Sequence, residues 1–432
     1  MAVNGDDPLG LTIYGADVEG LRGLLRCADE SRRAEAVETL RSWDGRLLDP
    51  SAVDQVLRGA TAAYPWVAGV VEDVGELLVR LLWNAPGEVD PWQVQRTYPL
   101  CAERARRSLL HLLALRADAE AVEVVGDLLD LDGPWDLLPV PTDDLLTPLL
   151  AAPGVERLAQ TLVLVAWRRG WSGHVADLLS RMVRMELLDA PARASAAAGL
   201  VPLAEGLIET CNRCTGASEV SGDLSRVDRR RLTSLLPLFA LLAEGGDPPA
   251  VLLRALASAD PRVAAVAAVE MARIGAAVAE ERLVLIARDP EARAVLLDGL
   301  AAQGRQFAIP SSVGDERSLA EAEMVRWLAS ETQLGTAPDE VEHRGCMPAP
   351  QVWGRGLVHV FAFRVRPPHW SAERGWMLGA VGPFDPSAEM YPRRCDGFAA
   401  ISLYHSEDDA GAPAQVAAMA EALSGELPDE VA

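Results

Sequence analysis

Apolar residues recur at helical spacing through most of positions 11–304, and the spacing is sharpest near the end of that stretch. "DPRVAAVAAVEMARIG" (260–275) puts Val263, Ala267, Met271 and Ile274 on one helical face. "DPEARAVLLDGLAAQG" begins 29 residues later, at Asp289, and does the same with Ala292, Leu296 and Leu300. The punctuation repeats as well. Asp260 and Asp289 suit the N-cap, where a carboxylate accepts the free N–H groups of the first turn. Pro261 and Pro290 fall at the first helical position, where a missing N–H costs nothing. Gly275 and Gly304 can take the left-handed conformation that closes a helix.

One such helix cannot bury its stripe alone, so a copy at fixed period predicts stacked neighbours. The frame Asp-Pro-x-Val, Ala four residues on, a large apolar residue four later, then Gly, resembles a HEAT repeat. Arg293 occupies a position where such repeats often carry Arg. The Arg193, Ala197, Gly199, Leu200 rhythm resembles a degenerate version of the same helix. Upstream, the pattern predicts helix pairs hinged at residues 28–31 and 117–119, a break at Pro65, and further helices over 153–170, 174–188 and 191–210. The resemblance implies an α-solenoid that acts as a scaffold with a concave protein-binding surface. It fixes no partner.

After Gly304 the pattern changes. One more helix is predicted over 318–333, with Ser318 as cap and Glu321 in the capping-box position. Segments 356–366, 375–384 and 397–406 are rich in Val and Phe, bounded by Gly and Pro, and read as three antiparallel strands. A final helix is predicted over 411–425. The expected fold is therefore mostly α: a HEAT-like α-solenoid (1–304), a connecting segment with one helix (305–344), a small antiparallel β-rich module (345–406), and a C-terminal helix and tail (407–432).

Charge narrows the function classes. The formal net charge is −23, and every basic residue is Arg. An acidic surface repels phosphate backbones and anionic lipid, so general nucleic-acid binding and membrane binding are not expected. Without lysine there is no P-loop Lys, Schiff-base Lys or Ser-Lys dyad. The Arg-, Ala- and Gly-rich usage points to a GC-rich bacterial source. "MAVNGDDPLG" has no signal-peptide character, and no apolar run approaches the ~18–20 residues of a membrane span. A cytoplasmic protein is expected, and six scattered cysteines make no disulfide framework.

Candidate chemistry is sparse. Cys211 and Cys214 form a Cys-x-x-Cys that closes a helix rather than opening one, so the dipole gives no thiol activation. "GWSG" before His174 lacks the strand that a nucleophile elbow needs. His343 and Cys346 could begin a zinc site completed by Cys395 and His405, but the separation is long. No cofactor, metal centre or catalytic residue is expected. The β-rich module stands apart. Between Gly345 and His405 six Arg face four acids, a local charge of +2 on an acidic chain. Arg364, Arg366, Arg393 and Arg394, with Trp353, Trp370 and Trp376, have the makeup of a partner-binding surface. The same aromatics could instead be the module's core, with the Arg residues paired to the acidic solenoid. The expected function is a non-enzymatic protein–protein interaction scaffold of a bacterial cytoplasmic signalling or conflict system. The alternatives are an acidic immunity-type protein that neutralises a basic effector, and an enzyme using the His/Cys/Arg-rich module.

Overall fold

The structure, a computed structural model, describes residues 12–70, 72–130, 144–168, 170–214, 222–243, 247–305, 310, 313–330, 333–334, 337–365, 376–385, 393–404 and 411–424. The chain is mostly helical with one antiparallel sheet near its C-terminus. It divides into two compact units, 1–203 and 204–432.

In the first unit a two-residue strand, β1 (Thr12–Ile13), pairs in parallel with β2 (Leu47–Leu48). Neither was foreseen, because two residues carry no period. The helices are α1 (Gly15–Leu25), α2 (Glu30–Ser42), α3 (Pro50–Ala60), α4 (Val74–Leu81), α5 (Pro91–Thr97), α6 (Glu103–Arg116), α7 (Ala119–Asp130), α8 (Leu158–Val165) and α9 (Ser172–Arg184), followed by the start of α10 (Ala190–Cys214). The predicted hinges fall where α1 gives way to α2 and α6 to α7. Ala117 takes a left-handed φ of 48° at the second hinge. Most contacts join helices close in sequence: α1 with α2 and α3, α4 with α6, α7 with α8.

The second unit holds α11 (Gly222–Leu242), α12 (Ala250–Leu256), α13 (Pro261–Arg273), α14 (Glu280–Ile286), α15 (Pro290–Ala302) and α16 (Glu316–Leu328). The two repeated segments are α13 and α15, as predicted. Asp260 accepts from the N–H groups of Arg262 and Val263, and Asp289 from that of Ala292. Each such cap is worth about 1 kcal/mol. Gly275 and Gly304 have φ of 83° and 67°. Val263, Ala267 and Met271 are buried, as are Ala292, Leu296 and Leu300, while Ile274 is only half-buried.

These helices form a row, α11 on α13, α13 on α15, α15 on α16. An arginine links each member to the next. Arg229 reaches Asp260 at 2.7 Å, Arg262 pairs with Glu291, and Arg293 reaches Glu321 at 3.0 Å. Arg293 is buried, and also donates to the carbonyls of Ala287 and Ser318 at 2.8 and 2.9 Å. Those bonds offset the cost of burying its charge.

The helix predicted from Ser318 starts earlier. Asp315 is the N-cap of α16, and its carboxylate accepts from the Ser318 N–H. A carboxylate outcompetes a hydroxyl at a positive helix end.

The sheet has four strands rather than three, in the order β3 (Glu340–Pro348), β4 (Leu357–Arg364), β5 (Met377–Asp385), β6 (Arg393–Tyr404), all antiparallel. The added strand, β3, straddles the predicted boundary between the connecting segment (305–344) and the β-rich module (345–406). Its sequence, EVEHRGCMP, is polar at most positions, and a bulge between His343 and Gly345 breaks its alternation. The strand β6 starts four residues before the predicted 397.

Helices cover both faces. On one, α16 contributes Leu319, Ala320, Met324 and Leu328 to a core with Phe361, Phe363, Met377, Val381 and Phe384. On the other, α17 (Ala412–Ser424) sets Met419 and Leu423 against Val358, Val360, Ala362, Leu378 and Ala380. Burial on both faces explains why β4 reads as a continuous apolar run. Its period of two is one of size, with large rings toward α16 and smaller side chains toward α17. A Cβ at Gly379 would lie 2.9 Å from Met324 Sδ and 3.2 Å from Phe363 Cε1, so the end of the Met324 side chain would have to shift to admit one.

Candidate functional site

Both candidate sites lie on the four-stranded sheet, one on each face. The first is centred on Trp376, which immediately precedes β5 and is half-buried against the α17-side core. Arg364, at the end of β4, lies with its guanidinium 5.1 Å from the Trp376 ring centre; that of Arg344, from β3, lies at 5.5 Å. Such a cation over an indole contributes about 0.5–1 kcal/mol when exposed. Each arginine also meets an acid of β3: Arg364 pairs with Glu340 and Arg344 with Glu342, at 2.7 and 2.8 Å. The result is one aromatic plate held by two arginines and rimmed by two carboxylates. Arg344 was absent from the expected set because its strand was not recognised.

The other expected residues are distributed as follows. Trp353 is 8% exposed and belongs to the α17-side core, with Val358 and Leu378. It supports this face from beneath rather than offering a surface. Arg393 and Arg394 open β6, in register with Asp385 and Phe384; their side chains lie outside the described residues, as do Arg366 and Trp370.

The second site is on the α16 side. His359 of β4 is buried, and its Nε2 lies 2.8 Å from Oε1 of Glu316 in the first turn of α16. Its Nδ1 lies 3.1 Å from Nε2 of His343 on β3. The His343 ring is half-buried and rests edge-on against Phe361, with centroids 5.2 Å apart. Burial lowers the His343 pKa to about 4, helped by electrostatic interactions with His359 and the Arg317 guanidinium and opposed by a hydrogen bond to the Gly345 backbone. His343 is thus neutral at pH 7. Cys346 is exposed, reduced, and directly opposite His359 in the β3–β4 register. Opposed residues of an antiparallel pair share a face, so the thiol is on the same side as both rings.

This chain of groups differs from the zinc set that sequence reasoning considered. His343 and Cys346 do share a strand, but the second histidine is His359. His405 and the Cys395 side chain lie outside the described residues. The signal that could have found it is the placement of His343 and His359 on two strands that pair. Among the described residues, no three His, Cys, Asp or Glu side chains already stand around one point in a way that would hold a metal ion.

The remaining candidates lie on the helices α9 and α10. Helix α10 runs past Thr210 to Cys214, because the Asn212 side chain accepts from Ser258 Oγ and the Ala259 N–H at 2.6 and 2.8 Å, fixing the extra turn. Cys211 is 2% exposed in the core. His174 lies in the first turn of α9, which starts two residues before the predicted helix 174–188, and is buried with its ring edge-on to Trp171. No described helix is long and apolar enough to cross a membrane.

Comparison with protein families, curated proteins and solved structures finds no match for this chain.

Proposed function

We infer that this protein is a non-enzymatic protein–protein interaction scaffold of a bacterial cytoplasmic signalling or conflict system, with a HEAT-like helical array that carries the four-stranded sheet. The observation that carries this reading is the Trp376 plate. A tryptophan flanked by two arginines, half-buried and rimmed by charge, has the composition of an interface hot spot. Both arginines already have acidic partners on β3, so a partner's carboxylates would exchange with Glu340 and Glu342 rather than meet bare charge. Such exchange favours specificity and fast association over raw affinity. A second feature supports the scaffold: Leu253 on α12 and Leu285 on α14 are 48% and 47% exposed, on helices outside the α11–α13–α15–α16 row.

The competing reading, an acidic protein that neutralises a basic effector, is favoured by the net charge of −23. The two differ in where binding is lost. Quantitative pull-down compares wild type with Arg364→Ala/Arg366→Ala/Arg393→Ala/Arg394→Ala. The scaffold reading expects loss of specific partners with little change in melting temperature, since exposed ion pairs contribute only ~0–1 kcal/mol each. An early-melting variant that still retains every partner would show these arginines to be structural. Retained binding that weakens on neutralising acids of the helical region would favour the acidic-inhibitor reading.

A further inference from the structure

Glu340 and Glu342 occupy the two arginines of the Trp376 plate from one short stretch of one strand. Glu340 sits opposite Arg364 in the β3–β4 register and meets its Nη2 at 2.7 Å. Glu342 meets Nη2 of Arg344 at 2.8 Å across the bulge that follows His343. Alternate residues of a strand share a face, so the two carboxylates of Glu340-Val341-Glu342 reach the plate together. There the guanidinium groups of Arg364 and Arg344 lie 5.1 and 5.5 Å from the Trp376 ring centre.

These glutamates fit their arginines loosely. Each contact is made through Nη2, while Nε of both arginines is buried with no hydrogen-bond partner among the described residues. A carboxylate not tied to β3 can take two guanidinium nitrogens at once. The Glu342 side chain is 52% exposed and that of Glu340 29%, so both can swing into solvent without opening a core. Ion pairs of this exposure favour their closed form by no more than about fivefold. Such pairs compete with a ligand without excluding it.

We propose that Glu340 and Glu342 stand in for an acidic partner segment: the plate binds an extended acid-x-acid stretch of another protein, and the chain's own Glu340-Val341-Glu342 competes for it. The proposal rests on the plate being a binding surface, and adds the motif of the partner and the competitor that restrains it. Acids at alternate positions of an extended segment have the spacing of Glu340 and Glu342, the spacing that already reaches both arginines. Displacing the two glutamates leaves two free carboxylates beside the plate, which repel the incoming ones. Removing their charge therefore tightens binding, which a purely structural pair of ion bridges would not do.

The test titrates the full chain with an end-blocked synthetic peptide, Gly-Ser-Glu-Val-Glu-Ser-Gly, and with its Gln-Val-Gln counterpart, following the Trp376 indole N–H by NMR. Glu340→Gln/Glu342→Gln should bind the acidic peptide ~3–25-fold more tightly than wild type. Arg344→Ala/Arg364→Ala should bind neither peptide. Glu280→Gln/Glu281→Gln, at two exposed acids of α14, makes the same change in net charge and should leave the affinity unaltered. Circular dichroism checks folding, and Glu342→Gln alone, with an expected gain of ~2–5-fold, keeps the test open if the double variant does not fold. Equal affinity of wild type and Glu340→Gln/Glu342→Gln overturns the proposal, although binding that still needs both arginines would keep the plate as a surface. An equal gain from Glu280→Gln/Glu281→Gln also overturns it, since net charge alone would then be the cause. Failure of wild type and the double Gln variant alike to bind the acidic peptide overturns both the competitor and the plate as a carboxylate-binding surface.

Discussion

Gly299 offers a sharp test of the helix row, because the cost of its substitution should depend on its neighbour. A Cβ at Gly299 on α15 would lie 2.5 and 2.6 Å from the two Cγ atoms of Val269 on α13, and 3.1 Å from Val269 Cβ. Valine is stiff at χ1, so the methyl groups cannot swing away without a cost. Overpacking of this kind costs ~1–3 kcal/mol. Against it, Ala is better than Gly inside a helix by ~0.5–1 kcal/mol. Gly299→Ala should therefore destabilise the second unit by about 0.5–2 kcal/mol. In a Val269→Ala background the two Cγ clashes are gone and only the tight 3.1 Å approach to the residue 269 Cβ remains, so the same substitution should be near neutral or stabilise by up to ~0.5–1 kcal/mol. Urea unfolding of the four proteins of this cycle, read by circular dichroism and by hydrogen exchange of α13 and α15, gives both differences. Equal effects of Gly299→Ala in the two backgrounds would refute the stacking of α15 on α13 in this register. Gly199 repeats the geometry in the first unit, where a Cβ would lie 2.6 Å from Val163 Cγ1, and Gly199→Ala with Val163→Ala should behave alike.

Met271→Asp should unfold the α13–α15 core, since an unpaired charge at a buried position is among the costliest substitutions; an unchanged melt would show the face assignment to be wrong. The depressed His343 pKa predicts acid sensitivity. The unfolded ring takes up its proton near pH 6.5 and the folded one only near 4, so the contribution of neutral His343 is present above 6.5 and lost as pH falls toward 4. Melting temperature should drop across that window, and less so in His343→Gln. Thiol labelling at pH 8 should modify exposed Cys346 well before Cys101, whose pKa burial pushes up to about 11; comparable rates would contradict the burial of Cys101.

What was legible in the chain was what local chemistry decides. The caps Asp260 and Asp289, the prolines after them and the closing Gly275 and Gly304 act over a few residues, and each helix end they predict is present. The Arg193, Ala197, Gly199, Leu200 rhythm also carried information beyond its resemblance, because Gly199 admits Val163 of α8. What stayed hidden depends on pairing. A polar, bulged strand such as β3 has no periodic signal of its own. The Trp376 plate and the Glu316–His359–His343 chain both need β3 beside β4, so neither could be seen before that strand was placed. Trp353 shows the converse: a tryptophan in an Arg-rich segment suits a surface or a core equally until the packing of α17 decides.

The central claim, that the sheet is a partner-binding face centred on Trp376, is tested most directly by photo-crosslinking in cells. A photoreactive residue at Met347, buried under α17, serves as the control, and one at position 376 as the probe. The account predicts a discrete adduct from 376 alone, formed with one partner, lost when Arg364, Arg366, Arg393 and Arg394 are replaced by Ala, and weakened by salt. The same adducts from both positions, or none from 376 in cells where the protein co-purifies with a partner, would contradict it.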